Sequence, residues 1–147
     1  MATLADAIIG LTELDLDMIG IGPFLAHPQT PLKDKPNGSI QLTLRTLALV
    51  RILNPFANMP STSAMECAEK GARLAALKIG MNVIMPSITP ERVQLLYHIY
   101  PGKNADSDAS EHSISAVLEI IRKAGIHRSL SKGISPNLIR RHESQNI

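Results

Sequence analysis

Short apolar runs alternate with longer amphipathic ones along this chain, and that alternation limits its fold more than any other feature. Residues 3–14 place Leu4, Ile8, Leu11 and Leu14 near helical spacing, with Thr3 at an N-cap position. Residues 17–22 (Asp-Met-Ile-Gly-Ile-Gly) read as a short, largely apolar strand, the pattern expected where both faces are covered. A loop punctuated by Pro23, Pro28, Pro31, Pro36 and Asn37-Gly38 leads to a helix over 39–54, capped by Ser39 and blocked by Pro55. The cycle repeats with a strand over 57–61, an Ala-rich helix over 65–79 closed by Gly80, and a strand over 81–85 stopped by Pro86. Thr89-Pro90-Glu91 then opens a helix carrying Val93, Leu96 and Tyr97. After a polar loop, Ile114, Val117, Leu118 and Ile121 form the stripe of a last amphipathic helix that ends at Gly125. Residues 126–147 read as a polar, basic tail with one short helix over 136–142.

This order predicts the α/β class, with about three parallel strands joined by right-handed crossovers and flanked by helices. Three strands are too few for a closed barrel and would leave two unpaired sheet edges. Beginning on a helix adds to the impression of the last part of something larger. Functional groups of parallel α/β folds gather at the carboxyl ends of strands. Those ends are Gly22-Pro23-Phe24, Ser61-Thr62-Ser63 and Met85-Pro86-Ser87. Thr62 and Ser63 suit hydrogen bonds to a substrate, or equally the capping of the next helix. Gly20 and Gly22 let a backbone approach closely but form no dinucleotide fingerprint, because no third glycine follows at the needed spacing.

Composition sets the outer bounds. The 147 residues are 44% hydrophobic, which excludes a disordered chain as the main body. Aromatics are 3% and the net charge is +2, so neither base stacking nor a polyanion partner is indicated. The charge is uneven: Asp6, Glu13, Asp15 and Asp17 lie near the start, and Arg128, Lys132, Arg140 and Arg141 near the end. Such a basic end is most simply a solvated tail. Cys67 is the only cysteine, so it forms no internal disulfide and cannot by itself ligate zinc or an iron–sulfur cluster. No apolar run approaches the ~18 residues of a membrane span, and acids stand where a signal peptide needs bases. A soluble, cytoplasmic chain is expected, with no metal among its five histidines.

At the strand ends the residues form recognisable words. Residues 15–24 (DLDMIGIGPF), followed by His27-Pro28-Gln29-Thr30-Pro31-Leu32, resemble a strand and loop of the HydE-like radical S-adenosylmethionine enzymes of hydrogenase maturation, relatives of biotin synthase. Residues 82–90 (NVIMPSITP) and 97–103 (YHIYPGK) resemble the last barrel strand of that family and the segment after it. The likeness runs from about residue 3 to 103 and covers the biotin and thiamin synthesis associated (BATS) region. It implies a partial (β/α) barrel over 1–124 and an additional tail over 125–147. It further implies that Pro23, Met85 and Tyr97 line an S-adenosylmethionine site, and that Met18, Thr62, Ser63 and Tyr100 face a substrate or anion pocket. The family binds S-adenosylmethionine and a [4Fe-4S] cluster, but its Cys-x3-Cys-x2-Cys motif has no counterpart here, and Cys67 matches no ligand position.

The chain is therefore expected to resemble the C-terminal portion of such an enzyme, inactive alone. A separate polypeptide supplying the missing N-terminal half-barrel is one expected partner, and self-association through open sheet edges another; no nucleic acid or membrane is expected. Two alternatives stay open: a biotin synthase-like fragment, or a stand-alone module that binds a small ligand or dimerises.

Overall fold

In the computed structural model of the chain, residues 2–86, 88–94, 96 and 114–145 are described. Helix α1 (Ala2–Glu13) is followed by an extended segment over 17–22 and a loop that leads to α2 (Ile40–Leu53). A second extended segment over 57–61 precedes α3 (Ser63–Ala68) and α4 (Ala72–Lys78), and a third over 81–85 follows. The four-residue α5 (Glu91–Gln94), then α6 (Ile114–Ala124) and α7 (Pro136–Gln145) complete the order.

The helix ends follow local chemistry. Ser39 caps α2 by accepting a hydrogen bond from the Leu42 N–H at 3.2 Å. The expected single helix over 65–79 is two helices. Gly71 sits in the left-handed region at φ 85°, and Glu66 reaches across the break to accept from the Gly71 N–H at 2.7 Å and the Arg73 N–H at 3.2 Å. A carboxylate on the free amides that open α4 stabilises the interruption. The helix opened by Thr89-Pro90 is described only over Glu91–Gln94, and Tyr97 lies outside the described residues.

Ile19, Met59 and Met81, one from each extended segment, pack with Ile8 of α1, Leu47 and Val50 of α2, and Ala76 and Leu77 of α4. Met59, Leu47 and Val50 are fully buried, so this one-sided layer is the core. Neighbours along the segments, Met18, Asn58 and Asn82, belong to the opposite side, as period-two alternation requires.

The expected α/β fold with about three parallel strands is not what forms. Among the described residues there is no strand, and the segments are tied by two isolated parallel bridges, Met18 to Asn58 and Pro60 to Val83. The reason lies in the donors. The first two segments exchange bonds from the Asn58 N–H to the Asp17 carbonyl and from the Ile19 N–H to the Asn58 carbonyl, each 2.9 Å. The next donor in register would be residue 60, which is a proline without an N–H. Between the second and third segments, the Met59 N–H turns to the Asn82 side-chain oxygen at 2.8 Å instead of a backbone carbonyl. Each ladder therefore stops after one bridge.

Arg51 of α2 locks the other end of this layer. Its Nε donates to the Gly80 carbonyl at 2.8 Å, Nη1 to the carbonyls of Asn54, Pro55 and Ala57, and Nη2 to Asn82 Oδ1 at 3.1 Å. Gly80 adopts φ 108°, and a β-carbon there would stand 3.0 Å from Arg51 Cγ, on a side chain already fixed by its hydrogen bonds. Gly80→Ala is expected to lose about 1–3 kcal/mol of stability, measured by urea unfolding, from the positive φ and the contact together.

Candidate functional site at the carboxyl ends of the extended segments

The first and second segments end side by side. A β-carbon on Gly22 would stand 2.9 Å from Thr62 Oγ1 and 3.5 Å from Ala64 Cβ, so glycine allows the two chains to approach this closely. Pro23 follows, buried. Thr62 holds the N-cap position of α3 but makes no side-chain capping bond. Its hydroxyl oxygen is buried and has no hydrogen-bond partner. Of the two uses open to Thr62, capping is thus the one the fold does not employ. Ser63 begins α3 beside it and is half-buried.

Arg73 ties the second segment to the third. It is 2% exposed, yet its Nε has no hydrogen-bond partner, and among the described residues its Nη2 makes only a long 3.5 Å contact to the Met85 carbonyl. Its own carbonyl accepts from Ser61 Oγ at 3.1 Å. Burial pulls this guanidinium below its ordinary value, with the charges of Glu66 and Cys67 opposing the shift. The carboxyl ends therefore hold a buried cation and a buried hydroxyl, each with unused hydrogen-bonding capacity. No spacing rule singles out Arg73, which sits in an Ala-rich run where a surface arginine would look the same.

The other sequence-derived site residues are spread more widely. Met85 is 60% exposed, its backbone rather than its side chain meeting Arg73. Tyr97 and Tyr100 lie outside the described residues. Met18 stands at the opposite, amino end of its segment, so it does not join Thr62 and Ser63. There it faces a pocket of about 460 Å³ with Asn58, Asn82, Ile84 and residues of α6 and the 126–133 segment. A polar layer floors that end: Asn82 Nδ2 donates to Asn58 Oδ1 at 3.1 Å, and Asn58 Nδ2 to the Gly133 carbonyl at 3.0 Å. The repeated asparagine at the second position of two apolar runs, Asn58 after Ala57 and Asn82 after Met81, was the available signal for this layer.

The loop after Pro23 folds on itself. His27 Nδ1 accepts from the Gln29 N–H at 3.1 Å, the His27 carbonyl accepts from Thr30 Oγ1 at 2.9 Å, and Asn37 Oδ1 accepts from the Ala26 N–H at 2.9 Å. The His-Pro-x-Thr-Pro word thus builds a turn.

These residues fit one of the two implied cofactors better than the other. An orphaned hydroxyl, a glycine cradle and a buried proline suit the polar and apolar parts of a nucleoside-like ligand such as S-adenosylmethionine. A [4Fe-4S] cluster finds no ligand set. Cys67 is the only cysteine of the sequence, and among the described residues no group of three or more His, Cys, Asp or Glu could hold a metal.

No known family profile matches the sequence. A curated relative does: the [FeFe] hydrogenase maturase subunit HydE of Thermotoga maritima is 43% identical over 122 residues. The chain is similar to HydE. The resemblance read from the words around Pro23 and Met85 is thereby shown, over 83% of this chain. The chain spans about a third of that relative, the match covering 35% of HydE. Among the described residues no helix is long and apolar enough to cross a membrane.

Proposed function

We propose that this chain is the C-terminal portion of a HydE-like radical S-adenosylmethionine maturase, residues 1–124 being the maturase-like part and 125–147 an addition to it. The observation that carries this reading is the 43% identity to HydE over most of the chain. The carboxyl-end cluster supports it. Thr62 and Ser63 offer hydroxyls to a substrate or anion, and Pro23 and Met85 offer apolar surface to S-adenosylmethionine, with Tyr97, Tyr100 and Met18 completing the set by resemblance. The radical chemistry belongs to the cofactor and its cluster, which a chain with one cysteine cannot ligate. Alone the chain is inert. Activity needs the cysteine motif from outside these residues, and the exposed Leu49, Ile52 and Leu53 of α2 leave apolar surface against which the rest of such an enzyme could pack.

The test is to mix the chain anaerobically with the cysteine-bearing portion of the Thermotoga relative that it does not match. Co-elution and reductant-dependent release of 5′-deoxyadenosine from S-adenosylmethionine are expected, with loss of nucleoside release in Thr62→Val. Two components that elute separately and release none would overturn the reading.

A further inference from the structure

The basic C-terminal segment, which the sequence suggests is solvated, is docked. Ser135 and Asn137 are 5% and 7% exposed, values of a packed interior. Ser135 Oγ donates to Asp17 Oδ1 at 2.8 Å and accepts from the Leu138 N–H at 3.0 Å, so one hydroxyl both caps α7 and fastens it. Asn137 Nδ2 donates to the Leu16 carbonyl at 2.9 Å. Arg141 forks over the acidic turn: Nη1 donates to the Asp15 carbonyl at 2.9 Å and Asp15 Oδ2 at 3.1 Å, and Nη2 to Asp17 Oδ2. Asp15 adopts a positive φ of 46°, a conformation rare outside glycine but tolerated by aspartate. Arg140 lies 4.3 Å over the Phe56 ring, at a distance where a cation is attracted to the ring face.

Between α6 and these anchors, residues 126–134 cross beside the Met18 pocket and are exposed. Their internal bonds are local, Ser129 to Ser131 and Ser131 to Gly133, and Gly133 turns at φ 72°. A loosely held span thus connects two fixed points. Asp15 and Asp17 of the acidic start and Arg141 of the basic end, an imbalance visible in composition, meet in this contact.

We propose that residues 126–145 form a charge-held clasp: α7 locks onto the Asp15–Asp17 turn, and the span before it covers the Met18 pocket and the amino ends of the first two extended segments. Opening requires release of α7 and of the single bond from Asn58 Nδ2 to the Gly133 carbonyl, and a ten-residue helix has little stability of its own once undocked. The clasp is a removable cover over a face with apolar walls, Met18, Ile84, Leu118 and Ile121 among them. The clasp stands on the contacts of α7 and not on the maturase reading.

The test uses the full chain. Amide hydrogen exchange is followed by mass spectrometry in wild type, Arg141→Lys and Arg141→Glu, together with fluorescence of an anilinonaphthalene sulfonate dye that reports accessible apolar surface. Arg141→Glu is expected to speed exchange over 136–145 by about tenfold and to raise dye fluorescence, with exchange over 40–53 unchanged, because local opening does not require global unfolding. Arg141→Lys, which keeps the charge but not the fork, falls between. Equal exchange over 136–145 in all three proteins overturns the clasp, as does acceleration spread evenly over the chain. Faster exchange without a rise in dye signal overturns the covering role. Should Arg141→Glu fail to fold, the wild type in raised salt decides: selective acceleration over 136–145 supports the clasp, and its absence refutes it.

Discussion

Replacing Arg51 by alanine is expected to lower the stability of the chain by about 2–4 kcal/mol. The side chain donates five hydrogen bonds that join the C-terminal end of α2, the start of the second extended segment, the Gly80 turn and Asn82. Truncation leaves the carbonyls of Asn54 and Ala57 without this donor in a half-buried setting and frees Asn82 to leave Met59. Burial pulls the Arg51 guanidinium below its ordinary value, but its carbonyl partners favour the charged form. Lysine cannot replace it, because one ammonium does not reach sites that a planar fork spans. Chemical denaturation of Arg51→Ala and Arg51→Lys measures the effect. Both are expected to unfold at clearly lower denaturant than wild type, with Arg51→Lys recovering little.

Arg73→Met is expected to act in the opposite direction, raising stability by about 1–3 kcal/mol. Both arginines are internal, yet their surroundings differ. Arg51 is bonded at every nitrogen, whereas Arg73 is 2% exposed with Nε unpartnered and, among the described residues, a single long contact from its guanidinium to a carbonyl. Among the described residues no carboxylate lies within ion-pair distance of it. A buried charge that the charges of Glu66 and Cys67 offset only in part carries a desolvation penalty that methionine, of similar length, would remove. A thermal melt of Arg73→Met above that of wild type fits this account. A melt lowered as in Arg51→Ala would mean that Arg73 is satisfied in solution and holds the carboxyl ends together. A stabilising Arg73→Met, together with the orphaned Thr62 hydroxyl, fits carboxyl ends that a ligand or further protein residues complete.

Local residue signals mark most helix ends and few of the contacts between distant residues. Ser39 and Gly125 marked their helix ends because capping is decided within a few residues. The break at Gly71 is not legible, because the alanines around it favour helix and the Glu66 bond that stabilises the break is a matter of side-chain geometry. The strands failed for a related reason. Apolar composition identified three extended segments, but ladder growth depends on specific donors, and Pro60 and the Asn82 side chain remove the ones that would continue it. Thr62 was legible from its place at a segment end, whereas Arg73 was not, since burial of a charged residue in an Ala-rich run leaves no periodic trace. The clasp was half legible: the charge imbalance was visible, but its pairing across more than a hundred residues was not.

The most direct test of the maturase reading is anaerobic reconstitution of the purified chain with iron and sulfide, followed by iron and sulfide analysis and absorption spectroscopy. The account predicts that the chain alone retains neither, and that a [4Fe-4S] spectrum develops only when the cysteine-bearing polypeptide is present. A stoichiometric [4Fe-4S] cluster on this chain by itself would contradict it.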